Sequence, residues 1–185
     1  AGAAILDVAV QGGFPKLFTK SAPAAPAEPA PEPPKGEGGS LLDDLRKRMD
    51  AILTRTRVQL EGLALRESIE QRDAAWEDAL VLLVHRLART PRSLSSDHYV
   101  PNPAWEALHR DFHRTLLARG PSRWLRAFCD SLADEAYRFR QLAANQAFGS
   151  RDVHAEHVAL FEAAIDGRAD AALQLLEQHY TRTSA

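Results

Sequence analysis

Glu156-His157-Val158-Ala159-Leu160-Phe161-Glu162-Ala163-Ala164-Ile165-Asp166-Gly167-Arg168-Ala169-Asp170-Ala171-Ala172-Leu173-Gln174-Leu175-Leu176-Glu177-Gln178-His179 reads as two helical patterns joined by a turn. Asp152, just upstream, caps the first, which carries Val158, Leu160, Phe161 and Ile165, and Gly167 ends it. The second runs from about Ala169 through Leu173, Leu175 and Leu176 to Tyr180. Asp166-Gly167 lies between helical patterns rather than alternating runs, so it is no β-hairpin signal. In an antiparallel helical hairpin, residues equidistant from the turn lie side by side. His157 and His179 are equidistant from the Gly167-Arg168 turn. The spacing therefore predicts two imidazoles level on neighbouring helices, ~15 Å from the turn at ~1.5 Å per residue.

The same period continues upstream. Ser40 is an N-cap candidate with Asp43 and Asp44 in the first turn, where negative charge suits the helix dipole. Leu41, Leu45, Met49, Ile52, Leu53, Leu60, Leu63 and Ile69 then recur with helical spacing, interrupted only by Gly62. One long helix or two nearly collinear ones satisfy this pattern. Asp73 caps a second helix bearing Trp76, Leu80, Leu83, Val84 and Leu87, which Thr90-Pro91 ends. Arg92 to Val100 is a polar loop. Asn102-Pro103 opens a third helix that runs to about Ala118 and stops near Gly120-Pro121. A fourth opens around Ser122 and carries Trp124, Phe128, Leu132, Tyr137 and Leu142 as far as Gly149-Ser150. No strand pattern competes. Residues 40–185 are thus expected to form an all-α antiparallel bundle of about six helices.

Residues 1–39 differ in kind. Six prolines fall between Pro23 and Pro34, interleaved with Ala and Glu, and Lys35-Gly36-Glu37-Gly38-Gly39 follows. Such a stretch is stiff and extended in its Pro part, flexible in its Gly part, and buries no core. The apolar pieces Ile5 to Val10 and Phe14 to Phe18 are broken by Gly12, Gly13 and Pro15, so a flexible tail or linker is expected rather than a domain.

Composition removes several function classes. Of 185 residues, 23 are Lys or Arg and 25 Asp or Glu, a net charge of −2, which excludes a globally basic nucleic-acid binder. The run Arg46-Lys47-Arg48 reads as a solvated helix face. One cysteine, Cys129, excludes an internal disulfide framework and a Cys-cluster zinc module, and it reads as a core residue. No apolar run approaches the ~20 residues of a membrane span, and the start lacks the basic n-region of a signal peptide. A cytoplasmic setting is the expectation.

Four of the seven histidines form a constellation. His109 and His113 are four apart on the third helix, hence one turn apart on one face, which suits joint metal ligation. With His157 and His179, three helices could aim four imidazoles at one point. The spacing alone is equally compatible with histidines that hold no metal. His85, His98 and His154 read as surface or loop residues.

At these residues the chain resembles the FadR C-terminal (FCD) effector domain of GntR-family transcription regulators. Arg57-Val58-Gln59-Leu60-Glu61 is similar to the family's Arg-x-x-Leu-Glu opening. His109-Arg110-Asp111-Phe112-His113-Arg114-Thr115-Leu116-Leu117 is similar to its Asp-x-x-Phe-His-x-x-Leu segment. Glu156-His157, then Ile165-Asp166-Gly167-Arg168-Ala169-Asp170-Ala171-Ala172, then Leu176 and His179, are similar to its Glu-His…Ala-Ile-x-x-Gly-Asp-x-x-x-Ala…His ending. The resemblance covers about residues 46–183. It implies an antiparallel helical bundle around a central pocket, in which many members hold a divalent metal through one Asp and three His. His113, His157 and His179 match the three histidines, and His109 stands where the Asp is expected. Asp111 is no substitute, because two residues along a helix turn it ~200° away. An all-imidazole set favours Zn²⁺ first, then Ni²⁺ or Fe²⁺, over Mn²⁺ or Mg²⁺.

The resemblance further implies a sensor of a small carboxylate metabolite, a homodimer, and contact with DNA only through a winged-helix domain, for which residues 1–39 are too short. A carboxylate attracts arginine. Arg57, Arg138 and Arg140 are the candidates. Arg57 is equally placed to pair with Glu61, four residues on. Reflecting His113 and His157 through their adjoining turns gives discordant levels on the fourth helix, about 127 and about 143, so Arg138 and Arg140 both remain. A stand-alone metal-dependent enzyme or metal-binding bundle is the alternative. The chain has no His-Glu-x-x-His motif, no Walker or Gly-x-Gly-x-x-Gly loop and no triad spacing, so no catalytic residue is assigned and an enzyme is not expected.

Overall fold

The computed structural model describes residues 38–144 and 151–183, with side chains for 41–141 and 151–183. Among the described residues there are six helices and no strand: α1 (Gly38–Glu70), α2 (Ala74–Arg89), α3 (Pro103–Leu116), α4 (Arg123–Ala144), α5 (Val153–Ile165) and α6 (Ala169–Thr181). The stretch expected to be a flexible tail lies outside them up to residue 37, and so does the expected end of α4 at Gly149-Ser150.

Helix starts follow side-chain caps. Asp73 accepts from the Trp76 N–H at 2.9 Å, Asn102 from Ala104 at 3.1 Å, and Asp152 from Ala155 at 2.9 Å. Ser122 serves α4 in the same way, accepting from Leu125 at 3.1 Å. α1 is one continuous helix of 33 residues, the first of its two expected forms, but it starts at Gly38, so Ser40 lies inside it rather than capping it. Helix ends commonly differ by one or two residues where no cap pins them. α3 stops at Leu116, two residues early, because the next turn is claimed by α1. There the Ser68 hydroxyl accepts from the N–H groups of both Arg119 and Gly120 at 3.1 Å.

α1 packs on α4 and α6, α2 on α3 and α5, and α5 on α6. Phe112, Leu65, Leu80, Leu116, Leu160 and Leu176 fill the core. The Trp76 indole N–H donates to the Thr115 carbonyl at 2.6 Å and locks α2 to the end of α3. Gly62 admits α6 closely, since a Cβ there would meet Leu173 Cδ2 at 3.2 Å. Gly167, at φ +74°, supplies the left-handed residue that reverses the chain between α5 and α6.

The apolar pattern of α1 splits between two faces. Ala64, Leu65 and Ile69 are buried, whereas Leu41, Leu42, Leu45, Met49, Ile52 and Leu63 are exposed. On α4, Trp124 and Phe128 are also exposed, at 65% and 62%. The loop from Arg92 to Val100 is closed by the bond from Leu94 N–H to the Val100 carbonyl, 2.9 Å. No helix among the described residues is long and apolar enough to cross a membrane.

Candidate metal centre

α3 turns Trp105, His109, Phe112, His113 and Leu116 to the interior, the i, i+3/i+4 spacing of one helical face. α5 brings His157 and α6 brings His179, both buried. The rings of His109 and His113 are 4.6 Å apart, those of His157 and His179 4.8 Å, and those of His109 and His157 4.9 Å. One nitrogen from each of the four lies within 4.8 Å of all the others. Tetrahedral zinc with Zn–N of ~2.05 Å sets its ligands about 3.3 Å apart, so modest ring rotations close the set. His113 Nε2 and His157 Nε2 are buried without a hydrogen-bond partner. Two buried ring nitrogens without a partner are costly, and a metal ion is a group that would satisfy them. The donor set therefore fits a divalent metal.

The surroundings keep the cluster neutral. Burial, then the positive charge of Arg140, holds His109 well below its ordinary pKa. Burial likewise depresses His113 and His157, and brings His179 down to about 4 despite the opposing pull of Glu156. Trp105 stacks on His109 at 4.6 Å, and Phe112 presents edge-on contacts to His113 and His157. His85, His98 and His154 are exposed, away from the cluster.

Beside the histidines is a cavity of about 650 Å³ walled by α1, α3, α4 and α6, large enough for a small molecule. α3 and α4 border it and are bridged by Arg140–Glu106 (2.7 Å), Arg110–Asp134 (3.2 Å) and Arg114–Asp130 (2.6 Å). These pairs reflect about residues 122–123, two beyond Gly120. That displacement raises the level reflected from His113 from about 127 to about 131–133 and removes only part of the discord with about 143. Arg140 lines the cavity, whereas Arg138, two residues and ~200° away, is exposed and pairs with Glu135 at 3.4 Å. Arg57 stands on the cavity wall and beside Glu61. Its Nε donates to Glu61 at 2.6 Å while its guanidinium covers the Tyr180 ring at 3.9 Å.

Sequence reasoning missed several residues. Arg126 lines the cavity and donates to the Gly120 carbonyl, and among the described cavity arginines it is the one with no carboxylate partner. Glu156 lies against His179, its carboxylate oxygen 2.8 Å from Nδ1, and takes a two-pronged clamp from Arg151. Burial would raise the Glu156 pKa, but the bonds from Arg151 and His179 outweigh it and hold the carboxylate well below its usual range. Glu156 was legible in principle, since the reflection that levels His157 with His179 puts residue 156 level with 180, one residue from His179. Cys129 is buried on the cavity wall, and loss of solvation pushes its thiol up to about 12, so it is no nucleophile.

The chain is thus a helical bundle that encloses a histidine cluster beside a cavity of small-molecule size. The family model described as the FCD domain matches residues 52–182, and the chain belongs to that family. It is 36% identical over 138 residues to an uncharacterized HTH-type transcriptional regulator, BphR, of Paraburkholderia xenovorans strain LB400, a match covering 75% of this chain and 54% of the relative. A crystal structure of a GntR-family transcriptional regulator from Pseudomonas syringae pv. tomato strain DC3000 superposes with a TM-score of 0.61 at 21% identity, over 75% of this chain and 54% of the other. The chain thus spans about half the length of the relatives it matches. Both relatives are named as regulators, and neither as an enzyme.

Proposed function

We propose that the chain is the effector-sensing and dimerising domain of a cytoplasmic GntR/FadR-type transcription regulator, binding a small organic acid at a divalent metal held by His109, His113, His157 and His179. The orphaned Nε2 atoms of His113 and His157, aimed into a cluster of four histidines, carry this reading. Zn²⁺ is the first choice for four imidazoles, with Ni²⁺ or Fe²⁺ next. Charge counting supports an anionic effector. The four rings are neutral, and Glu61, Glu106 and Glu156 are each matched by an arginine. A dication there would keep its charge and call for an anion from the cavity side. Arg140, Arg57 and the carboxylate-free Arg126 are the cavity cations such an acid would meet. DNA contact belongs to a winged-helix domain outside residues 38–183.

Dimerisation is supported by the exposed seam of α1. Leu42, Leu45, Met49 and Ile52 recur at intervals of three, four and three, the spacing of a helix-pairing face.

Metal content by mass spectrometry tests the core of the proposal. About one equivalent of Zn, Ni or Fe in the purified protein, lost in His157→Ala, and a thermal shift with organic acids only in the metal-loaded form, are expected. No metal in either protein, with melting indifferent to EDTA and Zn²⁺, would remove the four-histidine site.

A further inference from the structure

Two of the four histidines have a built partner on ring nitrogen Nδ1. His179 Nδ1 lies 2.8 Å from Glu156 Oε2 and 3.2 Å from Arg151 Nη2. His113 Nδ1 lies 3.3 Å from the Tyr180 hydroxyl, which is in short contact with Glu61 Oε2. We propose that Glu156, clamped by Arg151, and Tyr180, anchored by the Glu61–Arg57 pair, are positioning residues that hold His179 and His113 as Nδ1–H tautomers, so that both Nε2 lone pairs converge before any metal arrives. This deepens the metal-site reading and rests on it only for its consequence.

Counting hydrogens assigns the tautomers. Arg151 Nη2 carries two, and they go to Glu156 Oε2 and to the His179 carbonyl at 2.8 Å. None is left for His179 Nδ1, and a guanidinium accepts nothing. The remaining partner of Nδ1 is the Glu156 carboxylate, an acceptor only, so Nδ1 bears the hydrogen. At His113 the order is longer by one group. Glu61 is ionised against Arg57, whose Nε donates to it at 2.6 Å, so Glu61 has no proton to give. The single hydroxyl hydrogen of Tyr180 therefore goes to Glu61, and its oxygen accepts from His113 Nδ1–H. The free Nε2 of His113 is the orphaned atom noted above.

The two devices come from different helices to the same end. Arg151 and Glu156 flank the start of α5 and reach α6. Arg57 and Glu61 belong to α1, which supplies no histidine to the cluster, and act through Tyr180 of α6 on α3. A ring locked by a carboxylate is also a more basic donor, and losing such a partner commonly lowers metal affinity ~10–100-fold.

The test is a long-range ¹H–¹⁵N correlation of the histidine rings in the metal-stripped full chain at neutral pH. Wild type should show His113 and His179 as Nδ1–H tautomers. Glu156→Ala should put His179 alone into a tautomer mixture, and Tyr180→Phe should do so for His113 alone. Glu156→Gln, whose amide oxygen still accepts, should restore His179. The last two variants are nearly isosteric and keep the test open if Glu156→Ala fails to fold by circular dichroism. In chelator competition, Zn²⁺ affinity should fall ~10–100-fold in Tyr180→Phe and Glu156→Ala. An Nε2–H ring at either position in the wild type, or rings indifferent to these substitutions, overturns the proposal. Nδ1–H rings in a chain that takes up no Zn²⁺ would uphold it while removing the metal reading.

Discussion

Arg140 Nη2 stands 2.7 Å from Glu106 Oε2, a bond that joins α4 to α3 beside the histidine cluster. Glu106 is buried and also accepts from Gln141 at 2.9 Å and from the Tyr99 hydroxyl at 3.2 Å. The arginine is thus both a structural partner and the cation nearest in kind to what an incoming acid needs. Arg140→Ala should destabilise the chain by about 2 kcal/mol, less than a fully isolated buried charge because two neutral bonds to Glu106 survive. Arg138→Ala, whose side chain is 76% exposed, should change stability by no more than about 0.5 kcal/mol. Urea denaturation distinguishes them, and equal losses would contradict the assignment of Arg140 to the interior. Any acid that raises the melting temperature of the wild type should lose that effect in Arg140→Ala and keep it in Arg138→Ala.

The buried histidines make acid stability a second readout. His109, His113, His157 and His179 are neutral in the fold, with pKa values held below the unfolded value of about 6.5. Between that value and the folded ones, the unfolded chain binds more protons, so stability rises with pH across this window. For His179 the window runs from about 6.5 down to about 4. The stabilisation is complete above about pH 6.5 and declines as pH falls, by up to ~1.4 kcal/mol per pH unit for each ring. Glu156, with its depressed pKa, adds a loss in the same direction at lower pH. The urea midpoint of metal-free protein should fall between pH 7 and pH 5, and His109→Gln with His113→Gln should flatten that fall. A midpoint constant over this range would mean that the rings are not neutralised by burial.

What the chain reveals before folding is uneven, for physical reasons. Asp73, Asn102 and Asp152 announce their helices because capping is local, and the one long period of α1 survives a glycine. The level pairing of His157 with His179 is readable because α5 and α6 are joined by one short turn. The fourth helix is less readable in that way, since its pairing with α3 centres two to three residues beyond Gly120, where the Ser68 hydroxyl of α1 holds the turn. Which face of α1 is buried is also hidden: Leu45 and Leu65 look alike in sequence, and packing of α4 and α6 alone distinguishes them. Tyr180 escaped notice because its partner, Glu61, comes close only after the bundle assembles, and Arg126 because its partner is a backbone carbonyl that no side-chain pattern marks.

Gly167 is where the hairpin geometry can be tested without touching a histidine. Its φ of +74° costs an L-residue ~1 kcal/mol, and a Cβ there would lie 2.8 Å from Arg72 Nη2. The clash is with the far end of a flexible side chain, so it is relieved mainly by giving up the Arg72 bond to the Ile69 carbonyl, 3.1 Å. Gly167→Ala should therefore cost about 1–2 kcal/mol, and Gly167→Asn, which tolerates this conformation better, less. Thermal melts of the two variants should rank in that order. A neutral Gly167→Ala would show that the turn relaxes to a different backbone.

The exposed seam of α1 makes the sharpest statement about assembly. Leu42, Leu45, Met49 and Ile52 are 69%, 46%, 60% and 55% exposed, yet they are spaced as a helix-pairing stripe. Contiguous apolar patches beyond a few hundred Å² are uncommon on monomers. If two copies pair through this face, light scattering should give twice the chain mass at micromolar concentration. Leu45→Glu with Ile52→Glu should give the monomer mass. Because both side chains already meet water in the single chain, their replacement should leave the helical circular dichroism and zinc uptake intact. Trp124→Glu, on the adjoining α4, then measures how far the interface extends: retained dimerisation confines it to α1, and loss extends it to both helices. A wild type that scatters as a monomer, or a double variant that still scatters as a dimer, would exclude the α1 seam as the interface.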